Sequence, residues 1–246
     1  LLFSGLDCIS YNINRKNQDL RLYEFGKTYH KRESENLEKD HLMILLTGRK
    51  HFDNWNNSDL RMDFFDIKRQ VEHILFRLGI NKFDINETND YGFSEGLIYT
   101  HQNKKIIFCG KMDNSILKHF SIKQEVFYAD FNWNIITDSV LNTKIRYSKV
   151  SKFPSVRRDL SLILDKKISF KELRRVAIET DKEILKNVNL FDVYEGGKLG
   201  DDKKSYALSF ILEDKTQTLT DQRIDSVMNK LIQAYELKLG AVIRSK

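Results

Sequence analysis

Lys152-Phe-Pro-Ser-Val-Arg-Arg-Asp-Leu-Ser-Leu-Ile-Leu-Asp165 contains the only proline of the chain, Pro154, just ahead of an apolar run. Proline fixes its own φ and pushes Phe153 into an extended conformation, so a linker should end and a new element begin here. Leu160, Ile163 and Leu164 suit a strand buried on at least one face. Ser169, with Glu172 three residues on, has capping-box spacing for a helix, which Leu173, Val176, Ala177 and Ile184 continue at helical spacing. Two strands follow, at 187–193 and 205–213, joined by the glycine-rich loop 194–204, whose glycines allow the positive-φ turns of a hairpin. Thr220 can cap a second helix, with Arg223 at the box position in place of an acid. Its apolar stripe of Ile224, Val227, Met228, Leu231, Ala234, Tyr235 and Leu239 stops at Gly240. Residues 241–244 close as a short strand. The order β-α-β-β-α-β is the ferredoxin-like arrangement, a four-stranded antiparallel sheet with two helices on one face.

Upstream of this stretch the pattern differs. Leu2, Leu6, Ile9 and Ile13 form a helical stripe with no cap before Leu1, which suggests a chain that opens partway through a larger protein. Strands read at 20–29 and 41–47. A long amphipathic helix starts at Asp63, with Phe64, Ile67, Val71, Ile74, Leu75 and Leu78 on one face, and stops at Gly79. Short strands follow at 82–86, 96–101 and 104–109, then a short helix at 114–120 and a strand at 125–132. The expected fold class is therefore α+β throughout: a largely antiparallel sheet domain over 1–148 and the ferredoxin-like domain over 149–246.

Composition narrows the function classes. The chain has 246 residues and a net charge of +6, with 19 basic against 15 acidic residues from Ser151 onward, a mild excess compatible with RNA. No stretch approaches the roughly 20 apolar residues of a membrane span, and no secretory leader precedes the first periodic segment, so a cytoplasmic location is expected. Cys8 and Cys109 are isolated and read as reduced core residues; no metal site is expected from them or from the scattered histidines. Asn56-x-Ser58 and Asn86-x-Thr88 match a glycosylation pattern that means nothing in a cytosolic chain. Asp63 and Asp66 are best explained as acids favoured by a helix N-terminus, and Trp55 as a residue packed in the core or against a partner.

Three blocks in order, SKFPSVRRDLSLILD, LFDVYEGGKLGDDKKSYALSFIL and TLTDQRIDSVMNKL, closely resemble the anticodon-binding domain at the C-terminus of the phenylalanyl-tRNA synthetase β subunit. SGLDCISYNINRK, LRLYEFGKTYHK, DFFDIKRQVEHIL and the run from Lys105 through Phe131 resemble the catalytic-like module of the same subunit, which has the class II synthetase fold but serves as a structural partner of the catalytic α subunit. The resemblance implies a C-terminal part of that β chain, acting in an (αβ)2 heterotetramer that joins phenylalanine to tRNA(Phe). It implies ATP and Mg2+ for the whole enzyme and no cofactor in this part.

A class II active site holds ATP with arginines of an R-x-E motif and of a G-x-G-x-G-x-x-R motif, because triphosphate charge must be neutralised as the carboxylate attacks. Here Arg21 and Glu24 are spaced R-x-x-E, and the eleven glycines include no G-x-G-x-G. No catalytic residue is expected, and Arg21 reads as structural. In the family the first anticodon base stacks on the tyrosine of FDVY, which is Tyr194 here. The small residue of RRDLS and the serine of KKS also contact the anticodon, and they fall on Ser161 and Ser205. Arg157, Arg158, Lys203 and Lys204 are then placed to meet phosphates. The alternatives are that Tyr194 packs on its own loop, that the serines are ordinary strand residues and that the cations form a solvated surface. A single-chain, organelle-type synthetase and a ferredoxin-like regulatory module are the alternatives. The missing glycine-rich motif argues against the first, and the lack of site-forming residues against the second.

Overall fold

The structure, a computed structural model, describes residues 1–32, 35–51, 54–56, 59–141, 147, 149–196, 199–200 and 202–244. Ser58 of the first glycosylation pattern, residue 148 at the expected domain boundary and Gly197 of the hairpin loop lie outside these residues. The chain divides into two units, Leu1–Arg146 and Tyr147–Lys246.

The first unit runs α1 (Leu2–Ile13), β1 (Leu20–Arg32), β2 (Glu35–Thr47), α2 (Phe64–Arg77), β3 (Asp84–Thr88), β4 (Phe93–His101), β5 (Lys104–Met112), α3 (Asn114–His119), β6 (Val126–Asn132) and α4 (Trp133–Leu141). Its sheet has the order β1-β2-β6-β5-β4-β3, antiparallel at every pairing. Successive strand residues point to opposite faces, so β2 feeds two cores. Leu42, Ile44 and Leu46 pack with Ile67, Val71 and Leu75 of α2, whereas Met43 and Leu45 pack with Leu6 and Ile9 of α1. Phe127, Ala129 and Phe131 of β6 join the first core, and Val126 and Tyr128 the second.

At the start of α2, Asp63 accepts the backbone N–H groups of Phe65 and Asp66, and the Asp66 carboxylate returns a bond to the Asp63 N–H. Lys50 Nζ closes the pair at 2.6 Å from Asp63 and 2.9 Å from Asp66. These acids are thus held by a helix cap and a lysine. Burial pushes the Asp63 carboxyl up, but the Lys50 ammonium and the helix N–H groups outweigh it and hold it below its ordinary 3.8.

Two expectations need correction, one of two alternatives falls for Trp55, and one helix goes beyond the sequence reading. Trp55 is 98% exposed and takes no part in a core. Cys8 is exposed, and only Cys109 of the two cysteines is buried. Helix α4, absent from the sequence reading, follows β6 directly, with the Asn132 side chain accepting the Ile135 N–H at its start, and buries Ile136. Ile184 does not extend the helix begun at Ser169, which ends at Thr180; the Asp181 carboxylate accepts the N–H groups of Glu183 and Ile184 and turns the chain into the next strand.

The second unit runs β7 (Val156–Asp165), α5 (Phe170–Thr180), β8 (Leu185–Tyr194), β9 (Lys203–Leu212), α6 (Asp221–Leu239) and β10 (Val242–Ile243). Its antiparallel sheet has the order β10-β7-β9-β8, as the ferredoxin-like reading requires. Ser169 and Glu172 make the full capping box, Thr220 accepts the Arg223 N–H, and Gly240 ends α6 in the left-handed region at φ 60°, where a residue without Cβ carries no strain. Leu162, Leu164, Leu208, Phe210 and Leu212 point to the helices and pack with Leu173, Val176, Ile224, Leu231 and Tyr235.

Lys50→Ala should lower stability by about 1 kcal/mol, a modest figure because the pair is partly solvated. Asp63 has the depressed folded value, so its stabilisation is complete above the ordinary carboxylate value and is lost as pH falls from there through the folded one. Thermal unfolding of the full chain across pH 2–7 should therefore show Lys50→Ala less stable at neutral pH and with a shallower acid-side decline.

Candidate nucleic-acid interface

Because α5 and α6 take the even-numbered residues of β7 and β9, the odd-numbered ones form the opposite face. Register aligns them across strands. Tyr194 pairs with Ser205, Ser205 with Ile163, and Ile163 with Val242. One step along, Asp192 pairs with Ala207 and Ala207 with Ser161. Tyr194, Ser205 and Ser161 therefore lie together on this face, in adjacent rows.

The Tyr194 ring is 40% exposed. It folds over the start of the hairpin loop: a Cβ built on Gly196 would stand 2.4 Å from the Tyr194 hydroxyl oxygen and 2.6 Å from Cζ. Packing on its own loop and offering a surface are thus both true of this tyrosine. Arg244 Cζ lies 5.7 Å from the ring centroid, and the Arg244 N–H donates to the Ser161 carbonyl at 2.9 Å, which carries the β10 pairing one residue further. Ser205 is buried at 4% exposure, so it floors the row, and Ser161 and Ala207 keep the neighbouring row low.

The cations separate by strand parity. Lys203 is exposed and shares the open face. Arg157 is exposed on the same face, with Nε and Nη2 at 2.8 and 3.2 Å from the Asp159 carboxylate, which holds the guanidinium in its charged form. Two expectations are corrected. Arg158 pairs with Phe210 and so points to the helices, where Nη2 is 3.7 Å from Asp221 at the start of α6. Lys204 is buried at 6% exposure; its Nζ donates to the Lys166 carbonyl at 2.8 Å and lies 4.5 Å from the Tyr206 centroid. Neither is placed to meet a phosphate alongside Tyr194.

Sequence reasoning overlooked Arg244 and Phe191. Arg244 follows a two-residue strand, too short for periodicity to assign a face. Phe191 lies at a register shift between Leu190 and Asp192, which counting by twos cannot follow.

In the first unit Arg21 donates from Nη2 to the Lys50 carbonyl. It lines an apolar groove of about 320 Å³ together with Tyr23, Phe25, Leu42, Ile44 and Ile74. Arg21 also lines a smaller, polar pocket of about 210 Å³ with Lys50, His51, Asp66 and Arg69, where Lys50 is already paired with Asp63 and Asp66.

Residues 1–133 match the phenylalanyl tRNA synthetase beta chain CLM domain, and residues 151–244 match the ferredoxin-fold anticodon binding domain. The chain belongs to the phenylalanyl-tRNA synthetase beta chain family. Phenylalanine–tRNA ligase beta subunits of Bacteroides fragilis, Porphyromonas gingivalis and Fusobacterium nucleatum are 41%, 36% and 33% identical to it, each over 99% of this chain. The chain spans 31% of the length of each of these relatives. Among solved structures, it is similar to the pyrrolysyl-tRNA synthetase from Desulfitobacterium hafniense at 10% identity, with a TM-score of 0.44 over 57% of this chain and 48% of that one. The likeness is slight. None of the helices described is long and apolar enough to cross a membrane.

Gly196→Ala should push the Tyr194 ring off its seat. Aromatic NMR spectra of the full chain should show displaced Tyr194 ring signals, with the melting temperature changed by only a few degrees.

Proposed function

We propose that this chain is the anticodon-recognising part of a phenylalanine–tRNA ligase β subunit, working in the cytoplasm with a catalytic α subunit as an (αβ)2 enzyme. On this reading ATP and Mg2+ serve the whole enzyme, and the first unit supplies scaffold rather than chemistry. The open sheet face of the second unit carries the reading. It presents a part-exposed tyrosine beside an arginine, above a floor of small residues. Single-stranded loops are recognised by stacking unpaired bases on aromatic rings and by hydrogen bonds to base edges, with phosphates held by cations. Tyr194 supplies the stacking surface and Arg244 a cation at its edge. Ser205 and Ser161 leave room for a base to lie against the sheet, and the part-exposed Ser161 hydroxyl is its hydrogen-bonding partner. Lys203, at the end of the same face, holds backbone phosphate, and Arg157 adds positive charge.

A base on Tyr194 contributes roughly 1–3 kcal/mol. Tyr194→Ala should therefore weaken binding of the full chain to a tRNA(Phe) anticodon stem-loop about tenfold or more, with its thermal melt unchanged; wild-type affinity in that variant would remove the stacking role. Lys203→Ala should reduce the dependence of log K on log salt by about 0.7, the step expected for one phosphate contact on a single strand. Lys204→Ala should leave that slope unchanged.

A further inference from the structure

The open face carries a second aromatic–arginine pair. In β8, Leu190 pairs with Leu208 and Asp192 with Ala207, so Phe191 is the surplus residue of a bulge. Strict alternation from Tyr194 would aim residue 191 at the helices. The bulge instead brings it to the open face, where Arg157 Cζ lies 5.2 Å from its ring centroid. Bulges re-aim side chains in this way, often beside functional sites. Phe191 is 49% exposed and takes no place in the core of its unit. Arg157 is fixed twice, by its two bonds to Asp159 and by the ring beneath it. A guanidinium pinned at its edge and on one face keeps its other face for a ligand, and a planar, weakly hydrated cation in that position stacks on nucleobases.

We infer that Phe191 and Arg157 form a second base platform, which takes an unpaired nucleobase other than the one stacked on Tyr194. Phe191 stands three residues from Tyr194, about 10 Å at ~3.3 Å per residue. That is a separation a single strand spans with neighbouring nucleotides. Ala207 and Ser161 lie between the two pairs and keep the path low, with the exposed Asp192 at its β8 edge. Arg157 then acts through its plane rather than as a phosphate contact, which distinguishes it from Lys203. This inference rests on the RNA-binding reading above.

The test uses the full chain and tRNA(Phe) anticodon stem-loops carrying 2-aminopurine at one loop position at a time. Phe191→Leu keeps apolar bulk without the ring, and Arg157→Lys keeps the charge without the plane. Each should weaken binding about fivefold or more and abolish the fluorescence change at a loop position that still responds in Tyr194→Ala. The salt slope of Arg157→Lys should match wild type. Wild-type affinity in both variants, with binding lost only in Tyr194→Ala, would overturn the second platform and leave the first standing. Loss of the same reporter signal in all three variants would reduce the two platforms to one and overturn it too. If the wild-type chain binds the stem-loop no better than a hairpin of scrambled loop sequence, both readings fall.

Discussion

A sheet can offer an open face only if the opposite face is fully occupied, and in the second unit that depends on how α6 is fixed against α5. Tyr235 of α6 is buried against Phe210, and its hydroxyl donates to the Leu173 carbonyl of α5 at 3.2 Å. Burial raises its hydroxyl pKa well above the ordinary range, so the group remains a donor. One side chain thus fills the space under the sheet and satisfies a polar atom that would otherwise be stranded. With the helices held there, strand parity does the rest. Each residue of β7 and β9 is assigned to the core or to the open face by whether its number is even or odd, and the site follows from that assignment.

Parity also explains why charge alone is a poor guide to this surface. Arg157 and Arg158 are neighbours in sequence and lie on opposite faces, as do Lys203 and Lys204. The inward member of each pair has a structural task. Arg158 reaches the acid at the start of α6, and Lys204 ties the turn at Lys166 to β9. A buried ammonium is tolerated only when its donors are met, and a carbonyl and the Tyr206 ring meet them here. A strand carrying two consecutive cations can therefore supply at most one of them to a ligand on a given face.

Much of the fold was legible because it is written in local chemistry. The capping box at Ser169, the acids at the helix start at Asp63, the stop at Gly240 and the apolar run of β7 each act within a few residues, and the elements fall where those signals place them. The misses have equally specific causes. Ile184 keeps helical spacing after Asp181 has already turned the backbone. Trp55 is large and apolar, yet it stands exposed among the described residues, which removes the core alternative and leaves the partner one open. On the candidate face, Tyr194, Ser161 and Ser205 were found by resemblance, and ladder register then shows that they share a surface. Phe191 and Arg244 were beyond reach because a bulge and a two-residue strand carry no period. Their faces are decided by pairing partners far away in sequence.

The distribution of forces on this face bears on what it can discriminate. The second unit has an excess of only five positive charges, and two of its cations point inward, so on the RNA-binding reading counterion release supplies limited affinity and steep salt dependence is not the main property of this face. The open face is built instead from rings edged by arginines and from small residues that keep its floor low. Stacking tolerates any base, since every base has a π-face; selection must come from the shape of the floor and from hydrogen bonds to base edges. Buried Ser205 and the adjacent Ser161 set that shape. On the RNA-binding reading proposed above, a loop whose unpaired bases can splay at the spacing of the rings fits this face, and a stacked duplex of regular helical form does not. On that reading the surface selects by the conformation of a single-stranded loop and by the edges of its bases together.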